Sequence, residues 1–276
     1  DKDIAVNYSV EDAIKAKAAN KTALQKELGL EENPDAFMLG IVSRLTDQKG
    51  LDLVECVLDQ ICAEDVQLVV LGTGEGKYQD MFTYYSRKYP ERVSANIFYS
   101  EALSHRIYAS CDAFLMPSLF EPCGLSQLMS LRYGTLPIVR ETGGLRDTVT
   151  PYNEVDGTGT GFSFTNYNAH EMLAIIRYAK KTYFNDRKAW NEMVLRAMKQ
   201  DFSWDASARE YEKLYDGLIE EEERRKEAIR LQQAREAAEA ALKEAEKALE
   251  LAKRAEEKAI RKFSGIEDEP EDEKAE

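Results

Sequence analysis

The chain has 276 residues, 43% of them hydrophobic, and a formal net charge of −14 from 51 acidic against 37 basic side chains. That length and apolar content support one or two domains with a substantial core. The acidic excess excludes a general binder of nucleic acid or anionic membrane, and leaves anion binding only where a few cations converge.

In chain order, residues 1–8 read as extended. Residues 10–28 read as a helix with Ser9 as N-cap, Glu11 and Asp12 in its first turn and Gly29 as C-cap. A buried strand is expected over 37–43, then the loop carrying Arg44 and Lys49, then a helix over 51–61. A second strand, Val66–Leu71, runs into Gly72-Thr73-Gly74-Glu75-Gly76. A helix over 78–89, a weaker strand over 93–99, a short helix over 104–109 and a buried strand over 113–117 follow.

Next comes LFEPCGLSQLMSLRYGTLPIVRETGGLRDTV, which reads as loop, helix, buried strand and loop. Its helix, 125–133, carries apolar residues at Leu125, Leu128, Met129 and Leu131, and Gly134 stops it. A strand over 136–139 leads to Thr142-Gly143-Gly144, with a further helix opening at Asp147. Two amphipathic helices over 168–184 and 187–200 follow, and Ser203 caps a helix that ends near Leu218. Strands alternating with helices predict a parallel, Rossmann-like α/β sheet covered on both faces.

Past Leu218 the composition changes. Residues 219–263 contain neither Gly nor Pro and predict a single helix, roughly 65 Å long at 1.5 Å per residue. A seven-residue register runs through Leu231, Ala238, Ala245, Ala252 and Ala259. Two readings stay open. One is a coiled coil or docking helix for a second copy or a partner; the other is a solvated helix held by i,i+4 pairs such as Glu239–Lys243 and Glu250–Arg254. The acidic tail from Ser264 is expected to be disordered. The three segments are therefore 1–218, 219–263 and 264–276.

Cys56, Cys62, Cys111 and Cys123 show neither metal-ligand spacing nor a disulfide framework, so reduced thiols in a cytoplasmic protein (plastid if of plant origin) are expected. The opening DKDIAVNYS lacks a leader's apolar stretch, and the missing initial Met suggests a piece of something longer. His105 and His170 have no partner at metal spacing, and no metal site is expected. No nucleophile motif is present.

Chemistry is expected at the carboxyl ends of the strands, where open α/β sheets take their ligands. Arg44 and Lys49 read either as solvated charges or as cations for a diphosphate. Glu121 offers a carboxylate for sugar hydroxyls. Gly143 and Gly144 offer bare backbone N–H groups for phosphate. The Gly72–Gly76 run fits a tight turn better than a dinucleotide fingerprint, since its spacing is incomplete.

SRLTDQKGLDL, LGTGEG, the stretch from YSEALSHRIYASCDAFLMPSLFEPCGL to TGGLRDTV, and FSWDASAREYEKLY together resemble bacterial glycogen synthases and plant starch synthases, over about Val6 to Leu218. The resemblance implies a retaining glycosyltransferase of the two-domain GT-B type, of which this chain is the C-terminal, donor-binding half. It implies transfer of glucose from ADP-glucose, with UDP-glucose left open, to an α-1,4-glucan, without a cofactor. By the same resemblance Arg44 and Lys49 hold the donor diphosphate and Glu121 the glucose hydroxyls. Cys123, Gly124 and Leu125 line the sugar pocket, Thr142, Gly143 and Gly144 approach the phosphates and ribose, and Tyr99 lies beside the adenine. Attack from the donor's front face is implied, with no protein nucleophile. Met129 stands where many GT-B relatives carry a second glutamate, and the N-terminal domain that completes the cleft is missing. The alternative is a stable α/β module whose long helix docks or spaces a partner.

Overall fold

The computed structural model describes residues 1–264, and the acidic tail expected to be disordered falls, beyond Ser264, outside them. Two compact units are found, Asp1–Phe202 and the segment from Ser203 onward.

The first unit is a six-stranded sheet flanked by helices. In chain order it contains α1 (Ala13–Leu28), β1 (Phe37–Val42), a 3₁₀ turn (Asp47–Lys49), α2 (Leu51–Ala63), β2 (Val66–Leu71), α3 (Gly76–Lys88) and β3 (Val93–Asn96). Then come α4 (Glu101–Ser110), β4 (Ala113–Met116), α5 (Ser126–Arg132), β5 (Leu136–Arg140), α6 (Gly143–Thr148), β6 (Phe162–Phe164), α7 (Ala169–Asn185) and α8 (Arg187–Met198). Every strand pairing is parallel, in the spatial order β3-β2-β1-β4-β5-β6. The order reverses between β1 and β4, which is the switch point where such sheets open a crevice.

The central strands β1 and β4 form because their side chains are apolar on both faces. On β1, Phe37, Leu39 and Ile41 enter one core layer, with residues of α2, α7 and α8, while Met38 enters another, with residues of α1 and α4. Alternation of this kind on a near-continuous apolar run is what burial on both faces requires. Gly40 of β1 admits α4: a β-carbon there would stand 2.9 Å from Cys111 Sγ. At the amino end of the sheet, Lys21 Nζ donates to Asp112 Oδ2 at 2.6 Å and to Tyr183 Oη at 2.9 Å, and Asp112 also accepts the Met38 N–H.

Several boundaries differ from the sequence expectation. α1 starts at Ala13 rather than near Val10, because Asp12 Oδ1 accepts the Ser9 N–H and closes a turn ahead of the helix. β3 stops at Asn96, so Tyr99 lies beyond the sheet. α5 buries only part of its apolar stripe: Leu131 is buried, but Leu125 and Met129 are exposed, and Gln127 and Ser130 turn inward in their place. α6 opens at Gly143, before Asp147.

The second unit is α9 (Trp204–Phe263), one unbroken helix of 60 residues capped by Ser203, whose side chain accepts the Ala206 N–H. It continues through Gly217 and Leu218, where the composition suggested a division. None of its residues is buried. Arg254–Glu250 and Arg235–Glu239 pair at 3.2 and 3.3 Å; Glu239 thus takes the arginine before it rather than Lys243. Among the described residues no helix is long and apolar enough to cross a membrane.

Candidate donor-binding site

Three loops meet at the carboxyl rim beside the switch point. The first follows β1. Its 3₁₀ turn carries Lys49 and ends at Gly50, whose φ of 72° lies in the left-handed region. A β-carbon on Gly50 would come within 1.9 Å of the Pro117 carbonyl oxygen, so only glycine lets this loop lie against the end of β4. Asp47 anchors the same turn, accepting from Tyr78 Oη and Lys77 Nζ, both at 2.5 Å. Those bonds, Lys77's first, hold its carboxyl below the usual range.

The second loop follows β4 and carries Glu121. Its carboxylate accepts from Lys49 Nζ at 2.6 Å, with side chains only 16% (Lys49) and 11% (Glu121) exposed. The buried Ser118 hydroxyl donates to the same oxygen at 3.4 Å. The Leu119 N–H donates to the Gln48 carbonyl at 2.9 Å, stitching the two loops together. Beyond Glu121 the chain turns at Gly124, whose φ is 77°. The Gln127 amide donates to the carbonyls of Cys123 and Gly124, both at 3.0 Å, and fixes that turn to the start of α5.

The third loop precedes α6. The Gly144 N–H donates to the Glu121 carbonyl at 3.0 Å and to the Pro122 carbonyl at 3.2 Å. This corrects the expectation of a bare N–H at Gly144: its proton is spent on the neighbouring loop. A β-carbon on Gly143 or Gly144 would lie 2.3 Å from the Glu121 carbonyl oxygen or 2.1 Å from that of Cys123. These glycines are needed first for backbone-to-backbone packing. Gly143 remains exposed, and Thr142 is the N-cap residue.

Beside this cluster lies a cleft of about 360 Å³. Ser43 and Arg44 after β1, Gly72 and Thr73 after β2, Tyr99 before α4, and Met129 of α5 line it. Gly72 and Gly74 press on the first loop: β-carbons there would lie 1.9 Å from the Ser43 carbonyl oxygen and 2.2 Å from that of Leu45. This is the tight-turn role. Arg44 is exposed and forms no ion pair among the described residues. Tyr99 is 86% exposed. The fold thus joins Lys49 to Glu121 and sets the Gly143-Gly144 turn against the Glu121 loop. Arg44 and Tyr99 sit in the adjoining cleft, and Cys123 and Leu125 are exposed on the turn after Glu121.

Sequence spacing missed two features. Arg140, at the end of β5, reaches back to the loop that carries Glu121. Asp1, Asp3 and His105 bring potential ligand atoms within 4.8 Å of one another, a grouping made by residues about a hundred positions apart in the chain.

A parallel sheet of this strand order, with cations and a carboxylate at its switch point, is the Rossmann-like half of a GT-B glycosyltransferase. The chain belongs to the group 1 glycosyl transferases, whose family model matches residues 21–194. It is 69% identical over 218 residues to the glycogen synthase of Lachnospira eligens, covering 79% of this chain and 46% of that protein. It is 64% identical over 211 residues to the glycogen synthase of Lachnoclostridium phytofermentans, covering 76% of this chain and 44% of that one. Among solved structures, the catalytic domain of starch synthase IV from Arabidopsis thaliana, bound to ADP and acarbose, matches with a TM-score of 0.72 and 34% identity, over 78% of this chain and 45% of that one. The chain spans about half the length of the curated relatives it matches.

Proposed function

We propose that this chain is the donor-binding half of a retaining glucosyltransferase that moves glucose from ADP-glucose to an α-1,4-glucan, acting in the cytoplasm. The observation that carries the reading is the Lys49–Glu121 pair, with Lys49 on the same loop as Arg44, which lines the 360 Å³ cleft. A nucleoside diphosphate lying in that cleft brings its phosphates to Arg44 and Lys49. There the two cations offset the charge that grows on the leaving diphosphate. Lys49 has three N–H donors, so it serves a phosphate oxygen without releasing Glu121. Glu121, held from below by Ser118 and Lys49, keeps its remaining lone pairs for sugar hydroxyls.

Gly144 takes no part in phosphate binding on this reading, since its N–H is engaged; the cations carry that role. The remaining wall of the active cleft belongs to an N-terminal domain, consistent with coverage of about half of each relative. The exposed apolar residues Leu119, Phe120 and Leu125 on the rim fit a surface that faces that domain and the glucan. Reduced thiols fit the compartment, since all four cysteines are free.

Isothermal titration of the full chain with ADP, ADP-glucose and UDP-glucose tests the reading. Binding of ADP and ADP-glucose in the micromolar to millimolar range, with UDP-glucose weaker, is expected; no heat with any of the three at millimolar ligand overturns it. The chain by itself should elongate glycogen far more slowly than a complete synthase, because cleft closure needs both halves.

A further inference from the structure

We infer that Arg140 is a positioning residue for the donor sugar: it clamps the loop that carries Glu121 by taking over two carbonyls that the sheet has released. This rests on the donor-site reading above. β4 and β5 pair only as far as Met116 and Val139. Beyond that point the chain after β4 leaves the sheet, and its carbonyls lose their ladder partners. Arg140, the last residue of β5, supplies them. Its Nε donates to the Ser118 carbonyl at 2.8 Å, and one terminal NH₂ donates to the Leu119 carbonyl. A planar fork can hold two adjacent carbonyls at a fixed angle; a flexible ammonium cannot.

The guanidinium is itself braced. It lies over the Tyr167 ring at 5.6 Å, and the Tyr167 hydroxyl donates to Asp52 Oδ1 at 2.5 Å. Asp52 belongs to the first turn of α2, directly after the loop that bears Lys49. The chain of contacts therefore starts and ends beside the Lys49–Glu121 pair: Asp52, Tyr167, Arg140, the Ser118 and Leu119 carbonyls, Glu121. The opposite side of the same loop is held by the bond from the Leu119 N–H to Gln48. Ser118, between the two clamps, is 1% exposed and points its hydroxyl at Glu121. Glu121 lies only three positions after the clamped Ser118 and two after the clamped Leu119, so a shift at the carbonyls is passed directly to Glu121. The cleft that Arg44 lines includes none of the clamp's residues.

That separation sets the test. The 276-residue chain as wild type, Arg140→Ala and Arg140→Lys is titrated with ADP and with ADP-glucose, and each variant's melting temperature is recorded. In Arg140→Ala the Kd for ADP-glucose should rise about tenfold, while the Kd for ADP stays within about twofold. Arg140→Lys, which keeps a cation but reaches only one carbonyl, should fall between, and it carries the test if the alanine variant does not fold. Equal weakening for both ligands overturns the inference, since it would mean a direct phosphate contact or a general loss of structure. Unchanged affinity for both overturns it as well. If wild type itself binds neither ligand, the donor-site reading fails first and the positioning role with it, an outcome distinct from any loss confined to the variants.

Discussion

Replacing Glu121 with Gln should strengthen the binding of ADP and weaken that of ADP-glucose. In the unliganded chain, Lys49 Nζ sits 2.6 Å from Glu121 Oε2 in a site that admits little water. A phosphate oxygen bonded to the same ammonium would stand roughly 5 Å from the carboxylate. At an effective dielectric of about 20, two unit charges at that separation repel by about 3 kcal/mol. The ammonium between them and salt at physiological strength reduce this to about 1 kcal/mol, so removing the carboxylate should tighten ADP about fivefold. The sugar nucleotide gains the same relief but loses a charge-assisted hydrogen bond from a glucose hydroxyl, which costs about 1.5–3 kcal/mol. The net expectation is an ADP-glucose Kd raised by about twofold to thirtyfold, with ADP moving the other way. Titration calorimetry at 0.15 M and at 0.5 M salt reads both terms, and the ADP gain should shrink at the higher salt. Parallel loss of both ligands, or an ADP affinity indifferent to the change at low salt, would refute the placement of Glu121 beside both the sugar and the phosphate-binding cation.

Gly50→Ala should be severely destabilising, by more than about 3 kcal/mol, since left-handed strain adds to a clash with the fixed Pro117 carbonyl. Gly29→Ala, with φ at 68° but no atom within 4 Å of the new methyl, should cost only about 1 kcal/mol, so equal urea midpoints for the two would contradict the account. Burial pushes the Lys17 ammonium down from 10.5 to about 7. The unfolded chain therefore binds more protons between those values, and stability should rise with pH across that window, by up to about 1.4 kcal/mol per pH unit. Urea melts at pH 7, 8 and 9 measure the slope, and Lys17→Met should flatten it; an equal slope in both proteins would remove Lys17 as the cause. Cutting the chain after Leu218 should leave ADP affinity and the melting of the first unit unchanged, because α9 has no buried residue; a lost donor site would show that the helix supports it.

The strands of the first unit were legible because burial on both faces demands apolar runs that few other structures use. FMLGIV and VQLVVL carry that signal outright, and the alternation with helices implied the parallel sheet. Helix starts were less legible, because they depend on local side-chain competition. Ser9 looked like a cap, yet it turns its N–H toward Asp12 and delays α1 by three residues. The stripe on α5 misled for a different reason. Spacing says which residues share a face, but not whether that face meets the core, and here Gln127 points inward to hold a loop and Ser130 is buried beside it, while Leu125 and Met129 face outward. α9 shows the limit of composition: the change at Leu218 is real, but Gly217 costs a long helix only about 1 kcal/mol and does not end it.

At the site, Lys49 and Glu121 were legible as charged residues on loops after neighbouring strands, and the fold brings them to 2.6 Å. The glycines were legible as important and misread as to why. Gly144 was expected to offer its N–H to a phosphate, and instead gives it to the Glu121 and Pro122 carbonyls, because two loops that leave neighbouring strands must satisfy each other's backbone before any ligand arrives. The same requirement gives Arg140 its role, which spacing along the chain does not reveal. A lone arginine after a buried strand is ordinarily a solvated rim charge. Its role appears only once the sheet is seen to release the Ser118 and Leu119 carbonyls, since three-dimensional register, not spacing along the chain, brings the two segments together. Carboxylate geometry at this rim is therefore a property of β5 as much as of the loop that bears Glu121. Substitutions at the end of β5 should change sugar recognition while leaving every residue of the resemblance motif EPCGL intact.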